Sequence, residues 1–342
     1  LNGHNVVEFD GANDFMQLSN HITTEAAAIY LVLNNAITPT VSSYALSTQK
    51  HEFLSKFIGA PAHEKTGLQY GPDRYQVKDF VASKMEMLGS NTAAIGSLIR
   101  TNRRGKTREF QNAPATFNNN LASSIGAYYN GTTASNFHNG DIAEVIIFND
   151  TLNAVQRRIL MNVITAKYGS NMEVVANDHF LFQNSYSHDL IGVGMLQGHS
   201  QTVARGRGVI EITNPNDLQN GEFLFVGHDN APVDTTSETP QGFESRLQRI
   251  WRADLTGKPG TVDIKFFVDA NSTSNLALTH VLIDDDGNFA NGGTKLHDYG
   301  RTVDPNGGFV SFADVPLTDG AYFTLGTYDN DNVIKSVQSG DW

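Results

Sequence analysis

Short alternations of apolar and polar residues run through most of the chain. Val6-Val7-Glu8-Phe9 reads as a strand with one buried face, and Ala28-Ile29-Tyr30-Leu31-Val32-Leu33 as a strand buried on both faces. The same rhythm predicts strands over 66–70, 76–80, 94–101, 106–110, 121–128 and 142–149, with a hairpin turn at Asn102-Arg103-Arg104-Gly105. Residues 153–167 break the rhythm: Val155, Ile159, Leu160, Val163 and Ala166 recur near helical spacing. Asn153 can cap the start of this helix and Gly169 stands just past its end. Strands are expected again over 189–194, 208–213, 222–227, 246–254, 261–268, 280–284, 308–313 and 321–327. The expected domains are therefore 1–172 and 173–330, with 331–342 a linker or the start of a further module.

Composition agrees with an all-β chain. The 342 residues are 39% hydrophobic and 18% charged, which is globular, and the 31 glycines suit a chain with many tight turns. No apolar run is long enough to span a membrane as a helix, so membrane insertion is not expected. A net charge of −12 disfavours nucleic acid and anionic lipid as partners. With no cysteine, disulfides, thiolate chemistry and cysteine-bound metals are excluded. The chain opens Leu1-Asn2-Gly3-His4 and closes on a polar stretch, as expected for a piece of a longer polypeptide whose further domains are its neighbours.

Enzyme signatures are incomplete. Glu8-Phe9-Asp10 supplies two of the three carboxylates of a jelly-roll glycosidase strand, but the third position is Asn13. No G-x-S-x-G elbow is present, Gly105-Lys106-Thr107 lacks the first P-loop glycine, and His51-Glu52 and His63-Glu64 lack a second zinc histidine. Arg100, Arg103, Arg104, Lys106 and Arg108 form a basic hairpin. It is read first as a charged edge that discourages strand addition, and second as a dock for a sulfated or carboxylated polysaccharide. Asp284, Asp286 and Asn288 stand at alternate positions around Gly287. The string fits a plain Asp/Gly turn, with an oxygen-ligand site for calcium (Ca2+) as the alternative. Tyr70, Tyr75, Tyr128 and Tyr129 lie in or beside expected loops, where rings can stack on sugar faces. Trp251 is expected in the core.

Three segments carry a resemblance. Asn5 to Phe15, with Phe9-Asp10-Gly11 at its turn, the strand Asn139-Gly140-Asp141-Ile142-Ala143-Glu144-Val145-Ile146-Ile147-Phe148-Asn149, and the helix ending Ala166-Lys167-Tyr168-Gly169 together resemble the bacterial laminin-G-like, or concanavalin-A-like, jelly-roll family. Asp189-Leu190-Ile191-Gly192-Val193-Gly194, Arg249-Ile250-Trp251-Arg252, 282–289 and 317–326 resemble a β-rich module that follows such jelly rolls in large bacterial surface proteins. The resemblance implies an all-β chain: a jelly-roll sandwich closed by one helix, then a second β-sandwich-like domain. It implies an extracellular or cell-surface location, and calcium near a loop rim, for which Asp14 and Asp141 are the acidic positions. The expected function is non-catalytic binding of a polysaccharide or cell-surface glycan within an adhesin-like protein. The alternatives are structural spacer domains, or an accessory region of a polysaccharide-degrading enzyme.

Overall fold

The computed structural model describes residues 3–19, 27–33, 43–47, 52–59, 63–70, 73–79, 86–92, 99–103, 106–110, 123–169, 178–207, 209–268, 276–304 and 308–328; over 52–110 the description is of the backbone. The chain divides into two compact units, Leu1–Leu152 with Ser170–Asn177, and Asn153–Gly169 with Asp178–Trp342. Each is built mainly of antiparallel strands, and the described residues hold one α-helix.

The first unit begins with β1 (Val7–Asp10), β2 (Met16–Gln17), β3 (Ala27–Leu33) and β4 (Ser43–Ser47). It continues with β5 (Glu52–Gly59), β6 (His63–Tyr70), β7 (Asp73–Asp79), β8 (Glu86–Thr92), β9 (Ile99–Arg103) and β10 (Lys106–Phe110). It closes with β11 (Ser124–Ile125), β12 (Tyr128–Tyr129), β13 (Ala134–Ser135) and β14 (Asn139–Phe148). One six-stranded sheet runs β1-β14-β3-β8-β9-β10 and the other β2-β11-β4-β5-β6-β7. The chain crosses repeatedly between sheets, and its first and last strands pair side by side, the winding of a jelly roll. Phe9, Ile29, Leu31, Leu33 and Ile142 of one sheet pack on Ala45, Leu46 and Ile125 of the other. The sheets therefore face each other across one apolar layer.

One expected strand is broken. Residues 121–122 lie outside the described residues, and the rest of the 121–128 segment forms only β11 and β12, with Gly126 between them at φ +87. A Cβ on Gly126 would stand 2.2 Å from the Phe9 ring. The kink thus lets the chain pass over Phe9. Arg103 pairs with Lys106 as the hairpin prediction requires, while Arg104 and Gly105 lie outside the described residues.

The second unit starts with α1 (Ala154–Tyr168). Asn153 accepts from the Gln156 N–H, and the Gln156 side chain accepts from the Asn153 N–H, a reciprocal capping box. Gly169 ends the helix at φ 58. The strands follow as β15 (His188–Leu196), β16 (His199–Gln201), β17 (Val203–Arg205), β18 (Ile210–Thr213), β19 (Phe223–His228), β20 (Thr235–Thr236) and β21 (Ser245–Leu247). Next come β22 (Trp251–Thr256), β23 (Val262–Phe267), β24 (Thr279–Asp284), β25 (Lys295–His297), β26 (Thr302–Asp304), β27 (Phe309–Val315) and β28 (Tyr322–Thr327). They form a nine-stranded sheet with β16-β15-β19-β22-β28-β21-β20 as its main path, and a five-stranded sheet ordered β17-β18-β23-β27-β26. The strand expected over 246–254 is two, because 248–250 leave the ladder: Gln248 N–H donates to Asp234 O and Asp229 N–H to Ile250 O.

Leu224, Val226, Trp251 and Phe323 of the larger sheet pack on Ile212, Ile264, Phe266 and Phe312 of the smaller. Trp251 is 1% exposed, a core residue as its sequence context predicts. The other face of the larger sheet carries α1: Val155 and Ala166 pack with Phe180, Leu190, Phe223 and Phe225. β19 is therefore buried on both faces, Leu224 and Val226 inward, Phe223 and Phe225 under the helix. The resemblance assigned this helix to the end of the first domain. Its buried face instead packs on the sheet of the second unit, because that sheet presents apolar residues on its outer side.

Candidate ligand-binding surfaces

In the first unit, the β1–β2 turn is clamped to the start of β14. Asp10 lies opposite Asn139 in the ladder, and Asn139 Nδ2 donates to Asp10 O at 2.7 Å. Gly11 has φ +78, and a Cβ there would stand 2.7 Å from Asn139 Nδ2, so the close approach requires glycine. Asp10 Oδ1 accepts the Ala12 N–H at 2.7 Å, and this bond holds its carboxyl below the usual range. Asp14 Oδ2 accepts the Asp10 N–H at 3.3 Å. Asp10 thus serves the turn rather than a carboxylate pair with Glu8.

Phe15, just past this turn, packs on Tyr129 with ring centroids 5.4 Å apart and on Phe137 at 6.4 Å. All three rings are half-buried, and neighbouring Met16 is 42% exposed. The hairpin holding Tyr129 is fixed by Asn130, whose side-chain oxygen accepts the N–H groups of Thr132 and Thr133 at 2.9 and 2.7 Å. The Tyr129 hydroxyl donates to Gly131 O at 3.1 Å. Asn130, Thr132, Thr133 and Asn136 stand exposed in the same segment. The result is an aromatic surface on two pinned loops with amide and hydroxyl groups close by in sequence, the combination that sugar faces and hydroxyls use.

Tyr128, next to Tyr129, packs instead on buried Tyr44 at 5.4 Å. Tyr70 ends β6 and Tyr75 lies on β7, both on the sheet that contains β4, whereas Arg103 ends β9 on the opposite sheet. These positions thus stand on two sheets whose strands β7 and β9 approach each other, and Arg104 lies outside the described residues. Sequence reading missed Phe15 and Phe137. The 121 positions between them hid the contact, although both flank segments singled out for other reasons.

Asp141 lies on β14 opposite Glu8, while exposed Asp14 belongs to the turn. Among the described residues no group of three His, Cys, Asp or Glu side chains is arranged to hold a metal ion. In the second unit Asp284 is 2% exposed, and its Oδ1 accepts the N–H groups of Asp286 and Gly287, each at 2.9 Å. Its Oδ2 accepts from the Thr294 hydroxyl at 2.9 Å. Asp286 accepts the Asn288 N–H at 2.8 Å, which holds its carboxyl low, and Asn288 accepts the Ala290 N–H. The turn is locked from beneath by fully buried Phe289, over which the Arg246 guanidinium lies at 4.8 Å. Arg246 pairs with Glu238, which also accepts the Ala290 N–H. These oxygens build the turn.

A carboxylate–imidazole pair is also present. His228 Nε2 meets Asp189 Oδ2 at 3.0 Å, and His228 Nδ1 accepts the Asn230 N–H at 3.0 Å. Nε2 therefore carries the proton, and burial holds the imidazole neutral, its pKa below the ordinary value. With both nitrogens committed, the ring has no lone pair with which to activate a nucleophile. Asp254, 4% exposed, accepts the Leu181 N–H at 2.6 Å; burial pushes its carboxyl up to about 6. No helix among the described residues is long and apolar enough to cross a membrane.

Several solved structures are similar to the chain. A SAP-like pentraxin from Limulus polyphemus is 8% identical over 43% of this chain and 76% of its own, with a TM-score of 0.35. The CBM40 of a Ruminococcus gnavus IT-sialidase, solved bound to α2,3-sialyllactose, is 12% identical over 44% of this chain and 96% of its own, with a TM-score of 0.35. A putative carbohydrate binding protein from Bacteroides ovatus is 14% identical over 44% of this chain and 45% of its own, with a TM-score of 0.36. Likeness of this degree says nothing of what the chain binds. No curated protein matches it. Residues 183–321, nearly all of the second unit's strands, match the family model of a domain of unknown function, DUF8202.

Proposed function

We propose that the chain is a non-catalytic, glycan-binding region of a larger extracellular protein, and that the first unit holds the glycan at Phe15, Tyr129 and Phe137. The observation that carries this reading is the half-buried aromatic group on two pinned loops. A ring held in place loses little conformational freedom when a sugar stacks on it. The exposed Thr132 hydroxyl and Asn136 amide offer the donors and acceptors that sugar hydroxyls need. A net charge of −12 favours neutral glycans over polyanionic ones.

A glycan array probed with the full chain, with and without calcium, tests the reading. Binding by at least one neutral glycan, lost on Tyr129→Ala, supports it. An array silent under both conditions overturns it in favour of spacer domains. Turnover of any arrayed glycan overturns the non-catalytic part.

A further inference from the structure

The outer face of the five-stranded sheet carries a second feature, in the other unit. Its ladder aligns Arg205, Glu211, Lys265, Ser311 and Thr302 in one row across all five strands. Residues between them in each strand, such as Ile212, Ile264 and Phe312, point into the core. A solvated outer face would show the same alternation, and the row alone indicates no ligand. The difference is a wall. Residues 297–301 form a wall along the β27 edge of the sheet, and Gly300 lines, with residues of β18, β23, β26 and β27, a hollow of about 330 Å3. That lies at the lower end of the range for small-ligand sites, about 300–1,000 Å3.

The wall is pinned. His297 Nε2 lies 2.7 Å from Ala313 O, and the Ala313 N–H donates to Tyr299 O at 3.0 Å. Arg301 donates to Thr279 O at 2.9 Å. Gly300 sits at φ +62, where a Cβ would come 2.5 Å from the Ala313 Cβ, so the wall closes on the sheet only because this position is glycine. A hollow held open this firmly is organised before any ligand arrives.

Its lining sets the chemistry. Thr213, Thr302 and Ser311 bring hydroxyls from three strands. Lys265 is paired with Glu211 at 2.8 Å. Asp263 accepts from Asn214 Nδ2 at 2.7 Å and from the Asp314 N–H at 3.0 Å. The lining's one anion and one cation are each already engaged, so an ionic ligand finds no unpaired countercharge. A ligand whose hydroxyls both donate and accept matches the three hydroxyls and the remaining carboxylate lone pairs. We propose that this hollow is a second binding site, for one ring of a neutral saccharide. It stands independently of the aromatic site on the first unit.

Amide chemical shifts of the isotope-labelled full chain, titrated with glucose, galactose, mannose, fucose and glucuronate, test the proposal. The expected result is a set of shifts on 211–213, 263–267 and 311–313 with at least one neutral sugar, retained in Tyr129→Ala. Ser311→Tyr, which fills the hollow from the solvent side, should weaken this binding at least tenfold, and Ser311→Ala should weaken it less. Silence of these amides with every neutral sugar, a response to glucuronate alone, or undiminished binding by Ser311→Tyr would overturn it. Shifts confined to residues around Tyr129 would overturn it too, while leaving the aromatic site intact.

Discussion

The ring of Phe223 lies against Gly194 so closely that a Cβ on this glycine would stand 2.3 Å from Phe223 Cδ1. Gly192 relates to Phe225 in the same way at 2.7 Å, and the two rings stack on each other at 5.8 Å. The glycines of β15 are thus the flat bed on which both rings lie under α1. Gly194→Val should destabilise the second unit by about 1–3 kcal/mol, since the packed layer cannot absorb a branched side chain. Urea unfolding followed by the fluorescence of buried Trp251 measures this.

The capping box makes a smaller claim on the same helix. Asn153→Ala removes the acceptor for the Gln156 N–H and should cost about 0.5–2 kcal/mol. Faster amide exchange in the first turn of α1, with strand amides of the first unit unchanged, would confirm that the helix is stabilised locally.

These two features also show what the sequence makes legible. Helix limits are local, and Asn153 and Gly169 announce both ends. Strands such as β18 and β23 likewise follow from period-two alternation, whereas β4, absent from the expected strands, is buried along its whole length and shows none. The helix's partner is not local. Chain order suggests the sandwich before it, whereas the packing is decided by glycines at 192 and 194 opposite phenylalanines at 223 and 225, a complementarity visible only once the register is known. The aromatic site was half legible. Tyr129 stood beside a turn, but Tyr128 looked equivalent, and only the hairpin separates the one that packs on Tyr44 from the one that joins Phe15.

Asp254 should make the second unit less stable as pH rises. Its folded carboxyl holds a proton up to about pH 6, against 3.8 for the ordinary group. The folded state therefore binds more protons in that window, and stability is lost as pH climbs through it, on the order of 3 kcal/mol in full. Asp254→Asn keeps an oxygen for the Leu181 N–H and cannot ionise. Its stability advantage over the parent should be largest above about pH 7 and shrink towards pH 4.

His228 acts in the opposite direction. Its folded pKa lies below the ordinary 6.5, so the unfolded chain takes up the proton first, and stability falls as pH drops below about 6.5. His228→Gln keeps an N–H for Asp189 and should flatten this acid-side loss. Parallel pH–stability curves for this variant and the parent would show that His228 does not titrate on unfolding.

The central claim is a glycan held by the aromatic rim of the first unit. The most direct measurement is the affinity of one array-positive neutral glycan for the full chain and for Tyr129→Ala, by calorimetry, with and without calcium. The account predicts at least a tenfold loss on substitution, about 1.4 kcal/mol or more, with the fold of the variant unchanged by circular dichroism. Equal affinities for the two proteins would contradict it.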